Sequence, residues 1–198
     1  MISSLELIVP NRKSGDEPLH ANGVSVGGSI LDFWRWSASD LLSNATRGRF
    51  AEYIVHRAVS GTDNSVRAEW DAFDLTTPDG IRVEVKSAAY IQSWHQKRES
   101  AIAFLVPKTL AWSAATNQQE TVAKRHANVY VFALLHERVE PDPLDVRHWT
   151  FYVVATGVLD ARTRSQHSIS LASLIKVAGS GVVFEDLART IASVAKVV

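Results

Sequence analysis

Phe73-Asp74-Leu75-Thr76-Thr77-Pro78-Asp79-Gly80-Ile81-Arg82-Val83-Glu84-Val85-Lys86-Ser87 is the stretch on which the reading of this chain turns. Two short alternating segments, 68–76 and 81–88, flank Thr77-Pro78-Asp79-Gly80, whose turn chemistry predicts a β-hairpin. Strand side chains alternate, so Ile81, Val83 and Val85 share one face while Arg82, Glu84 and Lys86 share the other. The first face reads as core and the second carries charge. On the preceding strand Asp74 lies with Trp70 and Ala72, opposite Asp71, Phe73 and Leu75. If Pro78-Asp79-Gly80 is a three-residue loop, with Pro pre-set for a type I turn and Gly at the left-handed position, Thr77 pairs with Ile81. Counting back from that pair places Asp74 directly opposite Glu84.

Directly opposed residues have Cβ atoms about 4.5–5.5 Å apart, and like charges there destabilise the pair unless something offsets them. A divalent cation between the carboxylates would do so, and Mg²⁺ commonly takes one or two carboxylates and leaves other positions to water and substrate phosphate. Asp74 and Glu84 are therefore expected to bind Mg²⁺, with Mn²⁺ as a substitute. Lys86 projects from the same face, where an ammonium can stabilise phosphoryl charge or orient an attacking water. In the helix expected over 47–59, Ala51, Ile54, Val55, Ala58 and Val59 define an apolar arc, and Glu52 falls roughly 20° beyond Val59 at about 100° per residue. Two readings of Glu52 stay open: a further metal-site carboxylate, or a salt-bridge partner of Arg49 or His56 at helical spacing. Arg47 and Arg49, near the helix start, are placed to meet phosphates.

Arg47-Gly48-Arg49-Phe50-Ala51-Glu52, Phe73-Asp74-Leu75 and Val83-Glu84-Val85-Lys86-Ser87, in that order, resemble the PD-(D/E)XK, or restriction-endonuclease-like, nuclease superfamily. The resemblance covers about 47–87. It implies an αβββαβ core, a mixed central sheet flanked by helices, a metal held by Asp74 and Glu84 with the Val85 carbonyl, and a catalytic Lys86. The family's Pro-Asp dipeptide is Phe73-Asp74 here. The implied activity is metal-dependent phosphodiester hydrolysis, with DNA as the expected substrate. The competing reading is a catalytically silent nucleic-acid-binding or assembly domain of the same fold.

Around this centre, 30–44 and 47–59 carry apolar residues at helical spacing, and 101–106, 129–135 and 149–155 read as strands. The polar stretch 109–128 is expected to be helical, 11–29 to be a loop-rich lead-in, and 171–177 and 184–197 to be closing helices. The sum is a mixed α/β domain. At 198 residues and 46% hydrophobic the chain suits one domain over its whole length. Absence of cysteine removes disulfides and thiolate zinc sites, which points to a reducing cytoplasm. The opening residues lack a signal-peptide pattern, and no apolar run approaches the ~20 residues that span a bilayer.

Lys+Arg and Asp+Glu number 21 each, so any nucleic-acid surface must be a local patch. His95, Lys97 and Arg98, Lys124, Arg125 and His126, and Arg162 with Arg164 are the basic clusters. Lys97, Arg98 and Arg125 are the first choices for phosphate contacts. Gln92, just past the Glu-x-Lys strand, is placed to position water or touch nucleic acid; Trp94 is expected to pack, and Asp71 to be either structural or a polar residue at the start of its strand. No zinc-type histidine spacing, Gly-x-Ser-x-Gly or phosphate-loop motif occurs, and Val26-Gly27-Gly28-Ser29 is too short to serve as a nucleotide loop. A cutter of both strands would be expected to act as a homodimer.

Overall fold

The apolar runs separated by turn residues become strands in the computed structural model, which describes residues 8–61, 65–163 and 166–196. In chain order its elements are β1 (Pro18–Ala21), β2 (Val24–Ser29), α1 (Ile30–Ala38), α2 (Asn44–Ser60), β3 (Leu75–Thr76), β4 (Arg82–Ala89), β5 (Ala103–Leu105) and β6 (Trp112–Ser113). They continue with β7 (Gln118–Gln119), β8 (Val129–Leu135), β9 (Trp149–Ala155), α3 (Thr156–Asp160), β10 (Ser168–Ser170), α4 (Leu171–Ala178) and α5 (Phe184–Ala195). The last position of the closing helix expected over 184–197, and Arg164, lie outside the described residues.

The central sheet runs β3-β4-β8-β9, with β4 parallel to β8 and the outer pairs antiparallel. The fold is thus mixed α/β with a mixed sheet flanked by helices, as expected. Every residue of β8 is buried, because neighbours cover both its edges and both faces of the sheet are packed; that is why it reads as a continuous apolar run. On one face Val83, Val85, Val129, Val131 and Phe151 pack with Ala51, Ile54 and Val55 of α2 and Leu187 and Ile191 of α5. On the other, Tyr130, Phe132 and Val154 pack with Phe104, Leu159, Ile169 and Leu174 from β5, α3, β10 and α4. Fully burying each such side chain contributes about 1.5–3 kcal/mol. The face carrying Glu84 and Lys86 is therefore not simply a charged surface: it continues at Ala88 into this second core.

Three segments differ from expectation. The strand over 68–76 shrinks to Leu75–Thr76: residues 69–74 are bends that leave the edge of β4, although β4 itself runs on to Ala89. Residues 109–128 form no helix. They carry no apolar stripe, and Asn117 adopts a left-handed φ of 54° in a turn that folds β6 onto β7, with Thr109 bridged to Lys124 at the base. The lead-in contains the β1–β2 hairpin, built on Asn22-Gly23 at φ 50° and 80°, the turn pair that favours a two-residue hairpin. The connection from β4 to the parallel β8 accordingly carries β5 and this β finger, with no helix in it.

Candidate active site

Gly80, at φ 80°, closes the hairpin turn by donating to the Thr77 carbonyl at 2.9 Å, and the Thr77 amide donates to Ile81 at 2.9 Å. Leu75 then pairs with Val83 and Thr76 with Arg82, which is the register read from the turn. At Asp74 the ladder ends. Its amide still donates to the Val83 carbonyl at 3.0 Å, while its carboxylate swings across to accept the Val85 amide at 2.7 Å. The N–H and C=O of one strand residue point to the same side, so the Val85 carbonyl also faces this edge, beyond the last ladder pair. Lys86 Nζ lies 2.5 Å from Glu84 Oε1, and both side chains are largely covered.

Burial, then the Glu84 and Glu52 carboxylates, push Asp74 up to about 7, against the lowering effect of the Val85 N–H and Lys86. That is the signature of acidic groups crowded together where a cation would relieve them. Glu52, on α2, makes neither of the ion pairs expected for it. Arg67 Nε meets its Oε2 at 2.5 Å, Arg67 Nη1 meets Glu69 at 2.5 Å, and Nη2 lies 3.8 Å from Asp74 Oδ1. Arg67 thus bridges the carboxylates that a metal would share, and its own pKa is raised, chiefly by the Glu52 hydrogen bond. Among the described residues no three His, Asp or Glu side chains stand together as a ready metal cluster. The oxygen donors that a hard cation would find here are the smaller set of two carboxylates and a backbone carbonyl.

Several residues chosen for phosphate contact sit elsewhere. Arg47 is only 4% exposed and donates to Leu42 O at 2.8 Å, Gln92 Oε1 at 3.0 Å, Asn44 Oδ1 at 2.6 Å and Ser87 Oγ at 3.3 Å. It ties the start of α2 to the end of β4, and burial lowers its pKa. Gln92 is the other half of that clamp, with its amide donating to Ala89 O and Ser100 Oγ. Arg125 is likewise internal, donating to Val106 O, Gln166 O, Gln166 Oε1 and Asp160. A charged letter in the sequence does not reveal this burial, and neither arginine lines the two cavities that reach Asp74. Arg49, Lys97 and Arg98 are exposed. Trp94, expected to pack, is 53% exposed. Asp71 starts no strand; it stands in the bends at the site's rim.

The structure adds a surface that patterning missed. A cleft of about 680 Å³ runs up to Asp74 and Glu52 and is lined by Arg12, Lys13, Arg49, Arg57 and Arg67, with Trp34, Tyr53 and His56 among them. Its cations come from the lead-in, from α2 and from the loop after it, so no single cluster in the sequence announces it. The adjacent Arg12-Lys13 pair was the available signal. Five cations and three rings thus share one cleft with the carboxylates of Glu52, Asp71 and Asp74, in a molecule of zero net charge.

A family model described as bacteriophage T4 endonuclease IV matches residues 30–172, a span that includes Glu52, Asp74, Glu84 and Lys86. No curated protein matches the chain.

Proposed function

The chain belongs to the bacteriophage T4 endonuclease IV family, and on that premise we propose that it is a Mg²⁺-dependent endonuclease that hydrolyses DNA at a PD-(D/E)XK-type site. The observation that carries the reading is the junction at Asp74. There an aspartate at the end of the edge strand is locked onto the Val85 amide beside Glu84, with Lys86 on the same face and a basic cleft leading in.

Asp74 and Glu84 would hold Mg²⁺, or Mn²⁺ in its place, with the Val85 carbonyl; Glu52 would join once Arg67 turns away. The bound ion supplies Lewis-acid polarisation of the scissile phosphate and lowers the pKa of water. Lys86 sets its ammonium against the reacting phosphate, where it orients the attacking water and stabilises negative charge. Arg12, Lys13, Arg49 and Arg57 hold flanking phosphates and so fix the strand's path without reading its sequence. Arg67 is placed to exchange its carboxylate partners for the substrate phosphate, since an arginine fork suits either anion.

The test is cleavage of labelled linear, circular and single-stranded DNA with Mg²⁺ or Mn²⁺ by wild type, Asp74→Ala and Lys86→Ala. Cleavage by wild type that disappears in both variants and in chelator is the expected result. No metal-dependent cleavage on any substrate would favour a nucleic-acid-binding domain instead.

A further inference from the structure

Trp70 and Trp112 stand beside the carboxylate pair, and no step above uses them. Trp70 lies in the bends that lead the chain into Asp74, and Trp112 comes from β6 of the β finger. The rings meet edge to face, with centroids 5.3 Å apart and planes at 66°. Yet Trp70 remains 65% exposed and Trp112 37% exposed, so the contact leaves ring surface open. Together with Asp71, Phe73 and Thr109 they wall a cavity of about 240 Å³ that also takes in Asp74 and Glu84. Asp71 and Asp74 line this cavity and the basic cleft alike, so the two meet at the carboxylates.

That arrangement matches the two parts of a nucleotide. The basic cleft offers cations to backbone phosphates, the carboxylates mark the reacting phosphate, and two partly exposed tryptophans border the second cavity beside them. We propose that the Trp70–Trp112 pocket is a nucleobase subsite, which takes one base of the substrate strand, swung out of its stack, next to the phosphate being cut. The proposal rests on the nuclease reading and extends it from the backbone to the base. Aromatic stacking of a base tolerates any sequence, because every base has a π-face. The pocket therefore contributes affinity and fixes which phosphate reaches Asp74 and Glu84, in the way a remote contact positions a reacting group.

The test uses a DNA strand that the wild type cuts, and a set of the same strands with one abasic residue moved stepwise past the cut bond. Wild-type kcat/KM is expected to fall about 5- to 150-fold when the abasic residue occupies one flanking position, and little elsewhere. In Trp112→Ala and Trp70→Ala that positional difference should vanish, while Trp112→Phe, which keeps an aromatic face, should retain most of it. Melting temperatures of the three variants should stay near that of the wild type, given the rings' exposure. If the alanine variants discriminate against the abasic residue as strongly as wild type does, the tryptophans only brace the finger and the subsite is wrong. A wild type that cuts no DNA would overturn the nuclease reading and the subsite together, so the two failures are distinguishable.

Discussion

Asp74 carries a carboxyl group that folding makes hard to ionise. An aspartate ordinarily titrates near 3.8, but burial and the facing carboxylates raise this one to about 7. Between those values the folded protein holds a proton that the unfolded chain has lost. The resulting stabilisation is complete below about pH 4 and is lost as pH rises through about 7, a swing on the order of 4 kcal/mol. Asp74→Asn keeps an acceptor for the Val85 amide and has nothing to titrate. Without metal, it should therefore melt above wild type at pH 8 and close to it at pH 4.5, as scanning calorimetry can read. Metal binding needs the ionised carboxylate, so at limiting Mg²⁺ the initial cleavage rate should climb with pH through about 7. Lys86→Ala should lower kcat about 10²- to 10⁴-fold, the usual range for a positioned proton-handling or charged group. Asp74, Glu84 and Lys86 were legible because strand parity and one turn determine their placement. Arg67 was not, since it reaches Glu52 and Asp74 from an aperiodic loop. Arg47 and Arg125 were misread because charge is visible in a sequence and burial is not.

At the level of elements, periodicity succeeded where tertiary packing agrees with local pattern. Val129–Leu135 is a continuous apolar run and Trp149–Ala155 is apolar except for Thr150, and they became β8 and β9 with those bounds. It failed where partners decide the outcome. Residues 69–74 had a strand-like alternation but bend off the edge of β4, where the Asp74 carboxylate takes the Val85 amide in place of a ladder bond, and 109–128 became a hairpin closed by the Thr109–Lys124 bridge. Two joints should be sensitive to substitution. Gly181, between α4 and α5, has φ 80°, and an added Cβ would stand 2.6 Å from Thr150 Cγ2 and 2.9 Å from Tyr152 Cε1 of β9. Gly181→Ala should cost roughly 2 kcal/mol, seen as a lower urea midpoint at unchanged slope. Arg47→Ala would strand the Gln92, Leu42 and Asn44 acceptors and should cost about 3 kcal/mol by the same titration.

Across the whole molecule, equal numbers of acidic and basic residues conceal a segregation that composition cannot show: cations distant in sequence converge on one cleft that ends at the carboxylates. Binding along that cleft should weaken with salt, and the joint variant Arg12→Ala, Lys13→Ala, Arg57→Ala should lower affinity for DNA while flattening the salt dependence by about one log unit per phosphate contact removed. Among the described residues no helix is long and apolar enough to cross a membrane. If Asp74 and Glu84 jointly hold a divalent ion, calorimetric titration of Mn²⁺ into wild type, Asp74→Asn and Glu84→Gln at pH 8 will separate the three proteins. The expected result is one site in wild type, weakened tenfold or more by either substitution; equal affinity in all three proteins, or no binding to wild type, would contradict it.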